Sequence, residues 1–186
     1  MERTFWHANG QLRMRSFYLN GKLEGEYKSW HENGQLEEQK SYWDGKLEGE
    51  YKWWYENGEL REQGIYQNGK REGEYKYWYE NGEFQAQSFY QNGKLEGECR
   101  WWYRNGQPEG KIFYRNDELE GKYKLFYENG QLEKQKFYRS GRLIDKFFTM
   151  KKRLKILRVR KHLQNCAVNH LDYALIFDLS KIVYSM

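Results

Sequence analysis

Side chains alternate between polar and aromatic along short runs that all end in the same punctuation. In the stretch 49–72, GEYKWWYENGELREQGIYQNGKRE, the runs break at Asn57-Gly58 and Asn68-Gly69. Equivalent markers stand at Asn9-Gly10, Asn20-Gly21, Asn33-Gly34, Asp44-Gly45, Asn81-Gly82, Asn92-Gly93, Asn105-Gly106, Asn116-Asp117, Asn129-Gly130 and Ser140-Gly141. Their spacing alternates 11, 13, 11, 13 without exception, so the period is 24 residues. A fixed period in this range marks a repeat array.

Asn-Gly between aromatic and β-branched runs predicts a hairpin with a two-residue type I′ turn, which needs positive φ at both central residues. Pairing outward from Asn57-Gly58 sets Tyr55 opposite Leu60, Trp53 opposite Glu62 and Tyr51 opposite Gly64. Pairing from Asn68-Gly69 sets Tyr66 opposite Arg71 and Gly64 opposite Gly73. Both spacings are odd, so parity flips at each turn and is restored after two. One face of the sheet then carries Tyr, Trp, Leu and Gly. The other carries Glu, Lys, Gln and one Trp per unit. The glycines Gly25, Gly49, Gly73, Gly97 and Gly121 face a tyrosine column and are expected to leave room for the rings and to permit bending. Pro108 and Asp117 break the pattern, which predicts the poorest regularity in the fifth unit.

This unit, N-G-x-L followed by Y-x-N-G-K-L-E-G-E-Y, resembles the MORN repeat, and more closely its bacterial and viral variant form. The resemblance covers about residues 1–148 and rests on twelve turns in register. It implies a binding scaffold, a lipid-proximal module or, as in one bacterial group, an antitoxin-like protein that sequesters one partner. The expected fold is all-β: a single-layer, twisted antiparallel β-meander of about six 24-residue hairpin units over 1–148, with a short helical cap over 149–186.

Composition supports a single layer. Hydrophobic residues make up 38% of the chain, and half of that share is aromatic. Little Leu, Ile or Val remains to fill a two-layer core, while 8 Trp, 17 Tyr and 10 Phe argue against disorder. The net charge of +5 is unevenly placed. The array is almost balanced, whereas residues 146–186 hold nine Lys/Arg against two Asp/Glu. Nucleic acid is therefore an unfavoured partner for the array. Cys99 sits in the tyrosine column as a packing substitute, and Cys166 is isolated, so no disulfide framework is implied. No signal peptide or membrane-spanning run is present in the sequence, which predicts an intracellular, cytoplasmic location.

Catalysis finds little support, and no cofactor or metal is expected. His7 and His31 share a column with Tyr55, Tyr79, Tyr103 and Tyr127, so imidazole replaces phenol there. Glu24, Glu48, Glu72, Glu96 and Glu120 recur in every unit, as solvated strand positions would, whereas an active site is singular. Binding is better supported. Trp6, Trp30, Trp54, Trp78, Trp102 and Phe126 align on the charged face, with Phe17, Ile65, Phe89, Phe113 and Phe137 beside them. Such a row suits an extended protein partner, or else its rings cover one another. In the tail, KKRLKILRVRK provides Lys151, Lys152, Arg153, Lys155, Arg158, Arg160 and Lys161 around Leu154 and Leu157. The apolar stripe suits a cap on the last hairpin, and the basic stripe suits an anionic membrane surface.

Overall fold

Each turn-to-turn segment forms antiparallel strand in one open sheet that follows the chain order, except for two short strands off that path. The computed structural model describes residues 1–144. The cap expected over 149–186 lies outside the described residues. The first strands are β1 (Glu2–Trp6), β2 (Leu12–Leu19), β3 (Lys22–Trp30), β4 (Leu36–Trp43) and β5 (Lys46–Leu47). The middle of the sheet is β6 (Gly49–Trp54), β7 (Leu60–Gln67), β8 (Lys70–Trp78), β9 (Phe84–Gln91) and β10 (Lys94–Leu95). It closes with β11 (Gly97–Trp102), β12 (Pro108–Arg115), β13 (Glu118–Phe126), β14 (Leu132–Arg139) and β15 (Arg142–Leu143). The two exceptions are β5, which pairs only with β4, and β10, which pairs only with β9, so that β6 pairs with β4 and β11 with β9. Among the described residues there is no helix, in keeping with the all-β meander the spacing predicts.

The turns are of two kinds, which corrects the expectation of type I′ throughout. At residues 20–21, 44–45, 68–69, 92–93, 116–117 and 140–141 both central residues have positive φ, as type I′ requires. At 9–10, 33–34, 57–58, 81–82, 105–106 and 129–130 only the glycine does. There Gly58 donates its amide to the Tyr55 carbonyl at 3.0 Å, and Tyr55 donates to the Glu59 carbonyl at 2.9 Å. That is a type I turn followed by a glycine bulge, a three-residue loop. The extra residue shifts the pairing, so Trp54 rather than Tyr55 stands opposite Leu60. Arg61 is then left without a ladder partner on β6, and beyond it the expected pairs hold, with Trp53 opposite Glu62 and Tyr51 opposite Gly64.

A second bulge falls in the 13-residue segments. Tyr66 pairs with Arg71 as expected, but Ile65 pairs with Glu72 and Gln63 with Lys76, so Gly64 faces the bulged stretch instead of Gly73. Gly73 has φ +69 and pairs with Tyr90 on the next strand. A Cβ at Gly73 would meet nothing within 4 Å. This glycine column therefore serves backbone geometry, and the ring-clearing role expected of it falls elsewhere. A Cβ on Gly64 would lie 2.0 Å from the Tyr75 ring, and one on Gly110 would lie 2.4 Å from the Trp101 ring. Gly64 is glycine because a neighbouring side chain needs the space.

The fifth unit is as regular as the others, against expectation. Pro108 opens β12, where the missing amide costs no ladder bond, because Tyr103 donates to Gln107 one residue earlier. Asp117 adopts φ +68, a conformation that Asp tolerates better than most residues.

Two tests follow from this geometry. Because each unit contacts its neighbours through one repeated register, deleting residues 49–72 should leave a shorter folded array, measured by circular dichroism and limited proteolysis. Deleting twelve of them removes one strand, reverses everything downstream and should abolish folding. Gly64→Ala should lower unfolding free energy by about 1–3 kcal/mol through overpacking against Tyr75, read from denaturant melts.

Candidate binding surfaces

The rims of the sheet fix the framework on which any surface must be built. Equivalent strands stand two strand spacings apart, nominally about 10 Å. Yet side chains on both rims reach the next unit's backbone. Along one rim His7 and His31 place Nε2 at 2.7 and 3.0 Å from the Trp30 and Trp54 carbonyls. Tyr55, Tyr79 and Tyr103 donate their hydroxyls to the Trp78, Trp102 and Phe126 carbonyls at 2.8–2.9 Å. Imidazole carrying its proton on Nε2 thus replaces phenol as a donor. On the same rim Asn9, Asn33 and Asn57 donate Nδ2 to the carbonyls of Glu32, Glu56 and Glu80.

The opposite rim corrects the expectation that the repeated glutamates are merely solvated. Glu24, Glu48, Glu72, Glu96 and Glu120 each accept the amide of a turn residue, Asp44, Asn68, Asn92, Asn116 and Ser140, at 2.7–2.8 Å. Beside each of these, a turn amide such as that of Gly69 donates to the carbonyl of Leu47 at 2.8 Å. Carboxylate and carbonyl together hold the turn of the next unit.

On the charged face, lysines two residues along the same strand pair with Glu26, Glu50 and Glu74 at 2.6–2.9 Å. Hydrogen bonds from Lys28, Lys52 and Lys76 hold these carboxyls below their usual range. The Trp column edges this stripe. Trp6 is 61% exposed, while Trp30, Trp54, Trp78, Trp102 and Phe126 are half-buried. Each pairs with a partner in the next strand: Leu12, Leu36, Leu60, Phe84, Pro108 and Leu132. Phe84 lies 5.6 Å from Trp78 and 4.8 Å from Trp102, bridging two units. The result is an apolar seam with its ring edges partly open to solvent. On the other rim of this face Trp43 is 70% exposed, in a column that later carries Gln67, Gln91, Arg115 and Arg139.

The opposite face contains a cluster that is not repeated. Tyr75 is fully buried, stacked on Tyr51 and edge-on to Tyr66 and Tyr90. Arg71 lies 4.4 Å over the Tyr75 ring, donates to the Tyr90 hydroxyl at 3.1 Å and stands 3.6 Å from Glu62. Burial pushes the Glu62 carboxyl up against the opposing pull of Arg71, and it pushes the Tyr77 phenol up to about 12. Sequence reasoning passed over this cluster, although a signal was present. Arg71 stands where other units have Leu23, Leu47, Leu95, Leu119 and Leu143.

Among the described residues no three His, Cys, Asp or Glu stand together as metal ligands. Cys99 is buried and free. No helix among them is long and apolar enough to cross a membrane. The basic side chains Lys151, Lys152, Arg153, Lys155, Arg158, Arg160 and Lys161 lie outside the described residues.

A single-layer hairpin array with aromatic rows on both faces is the class this geometry defines. The MORN repeat variant model matches residues 1–20, 23–44, 47–68, 71–92, 83–99, 95–116 and 119–140, so the chain belongs to that repeat family. Repeats of this family are in general protein- or membrane-binding modules, and the family is non-catalytic. No curated protein matches the chain.

The interchangeability of the rim donors can be measured. Tyr79→Phe removes the bond to the Trp102 carbonyl and should cost about 0.5–1.5 kcal/mol. Tyr55→His should cost less than Tyr55→Phe in parallel denaturant melts, because imidazole restores a donor at the same place.

Proposed function

We propose that the chain is a non-enzymatic scaffold that binds a protein partner along its aromatic-rich sheet. The contact row is Trp6, Trp30, Trp54, Trp78, Trp102 and Phe126. The observation that supports this reading most directly is that the seam's backbone is already tied. The carbonyls beneath five of the six rings accept rim hydrogen bonds. A backbone tied in this way does not have to be ordered on binding, which favours affinity. A binding role is also supported by the repeated His and Glu columns, whose polar atoms are engaged in holding neighbouring units together. An antitoxin-like protein would be the single-partner form of the same activity.

The test is partner capture from the native source with the full chain, followed by mass spectrometry and a direct binding measurement with the recovered protein. Trp6→Ala alters the most exposed ring of the row and should leave the melting temperature within about 1 °C, because surface substitutions are usually near neutral. It should weaken binding by about tenfold, in the range of an interface aromatic. Unchanged affinity in Trp6→Ala and in Trp54→Ala, both folded, would remove the seam from the interface.

A second reading, association with an anionic membrane, is supported by the seven basic residues between 151 and 161. Changing Lys151, Lys152, Arg158 and Lys161 to Gln removes four charges, on the order of 4 kcal/mol of attraction to an anionic surface. The variant should keep its fold and lose salt-sensitive binding to phosphatidylserine vesicles. Vesicle binding that is equal for both proteins would contradict this reading.

A further inference from the structure

The tyrosine face contains a groove that the repeat itself explains. In one column of this face the units carry Phe5, Ser29, Trp53, Tyr77, Trp101 and Leu125. Ser29 alone has a small polar side chain. Where a ring would stand, a groove of about 590 Å³ opens between Phe5 and Trp53, with Tyr27, Tyr51, Glu37 and Glu38 along its walls and Arg13 on its exposed rim.

The next unit shows what such walls accept. Shifted by one period, Glu38, Tyr51 and Trp53 correspond to Glu62, Tyr75 and Tyr77. There the Trp53 ring takes the place of Ser29, and Arg71 lies against the matching walls, its guanidinium 4.4 Å over the Tyr75 ring and 3.6 Å from Glu62. The residue equivalent to Arg71 is Leu47, so the earlier unit has the aromatic and acidic walls without the arginine. Lys40 supplies part of the missing charge, with its ammonium 2.8 Å from Glu38 Oε2 and 4.5 Å over the Tyr27 ring. Glu37 receives only the Ser29 hydroxyl among the described residues, at 2.9 Å, and retains acceptor capacity. Trp53 already carries the Arg61 guanidinium at 4.0 Å, so the wall residue itself takes this type of group.

We propose that this groove binds an arginine side chain presented by a partner protein. A planar guanidinium stacks on aromatic faces and pairs with carboxylates at once, whereas an ammonium is a compact point charge and a neutral ring leaves Glu37 unmatched. The proposal does not depend on the tryptophan seam, which lies on the other face of the sheet.

The experiment is titration of the full chain with the pentapeptide Ac-Gly-Gly-Arg-Gly-Gly-NH2, followed by the indole NMR signal of Trp53. The same peptide with citrulline in place of arginine is the uncharged isostere. The arginine peptide should move the Trp53 signal saturably, and the citrulline peptide should bind at least tenfold more weakly. Ser29→Trp restores the ring found elsewhere in the column and should abolish binding while the protein stays folded. If that variant does not fold, Glu37→Gln with Glu38→Gln should weaken arginine binding at least tenfold. No saturable shift, equal binding of the two peptides, or undiminished binding by the folded Ser29→Trp variant would each overturn the proposal.

Discussion

What the whole sheet depends on is a hydrogen bond that skips a strand. A plain meander links each strand only to its immediate neighbours, and a single two-stranded unit on its own is marginal in water. Here the His and Tyr donors on one rim and the Glu acceptors on the other tie each unit to the unit after it. Both bulges contribute. The three-residue loops bring the Tyr hydroxyl to a Trp carbonyl, and the positive-φ glycines divert the strand where Leu47 and Leu95 offer carbonyls to the next turn. Single ion pairs on the charged face add little by comparison, because exposed pairs contribute about 0–1 kcal/mol each.

With both rims committed to structure, the two faces are left to differ from unit to unit. The tyrosine face is packed most tightly at Tyr75 and opens into a groove beside the buried Ser29. The charged face pairs a glutamate with a basic residue two positions on through four units, with Lys in three and Arg100 in the fourth, until Lys122 stands where Glu26, Glu50, Glu74 and Glu98 stood. A repeat architecture thus separates two tasks. Rim residues that recur every 24 positions build the scaffold, and residues that break the recurrence make particular places on it differ.

Much of the fold was legible because turn chemistry and parity are local. Asn-Gly and its variants at fixed spacing located every hairpin, and odd spacing put Tyr51 and Tyr66 on one face, where their rings meet at 5.7 Å. The bulges were not legible. Asn-Gly suits both a type I′ turn and the end of a type I turn, and only the backbone pairing distinguishes them. The glutamate column was misjudged for a related reason: a carboxylate near a rim looks solvated until the neighbouring turn is known to lean over it. On the two faces, attention to repeated columns picked out the tryptophan row but passed over Trp43, Arg71 and Ser29. Each is conspicuous only as a departure from its own column.

The claim that rim hydrogen bonds hold neighbouring units together is tested most directly by amide hydrogen exchange. The amides of Asn68, Asn92 and Asn116 sit in exposed turns, where unbonded amides exchange freely. If the Glu48, Glu72 and Glu96 carboxylates hold them, they should be protected to nearly the level of the strand amides flanking them. The amides of Glu56 and Asn57, in a loop of the other kind and without an acceptor among the described residues, should exchange rapidly. Exchange of Asn68, Asn92 and Asn116 as fast as that of Asn57 would mean that the units are joined by the strand ladder alone.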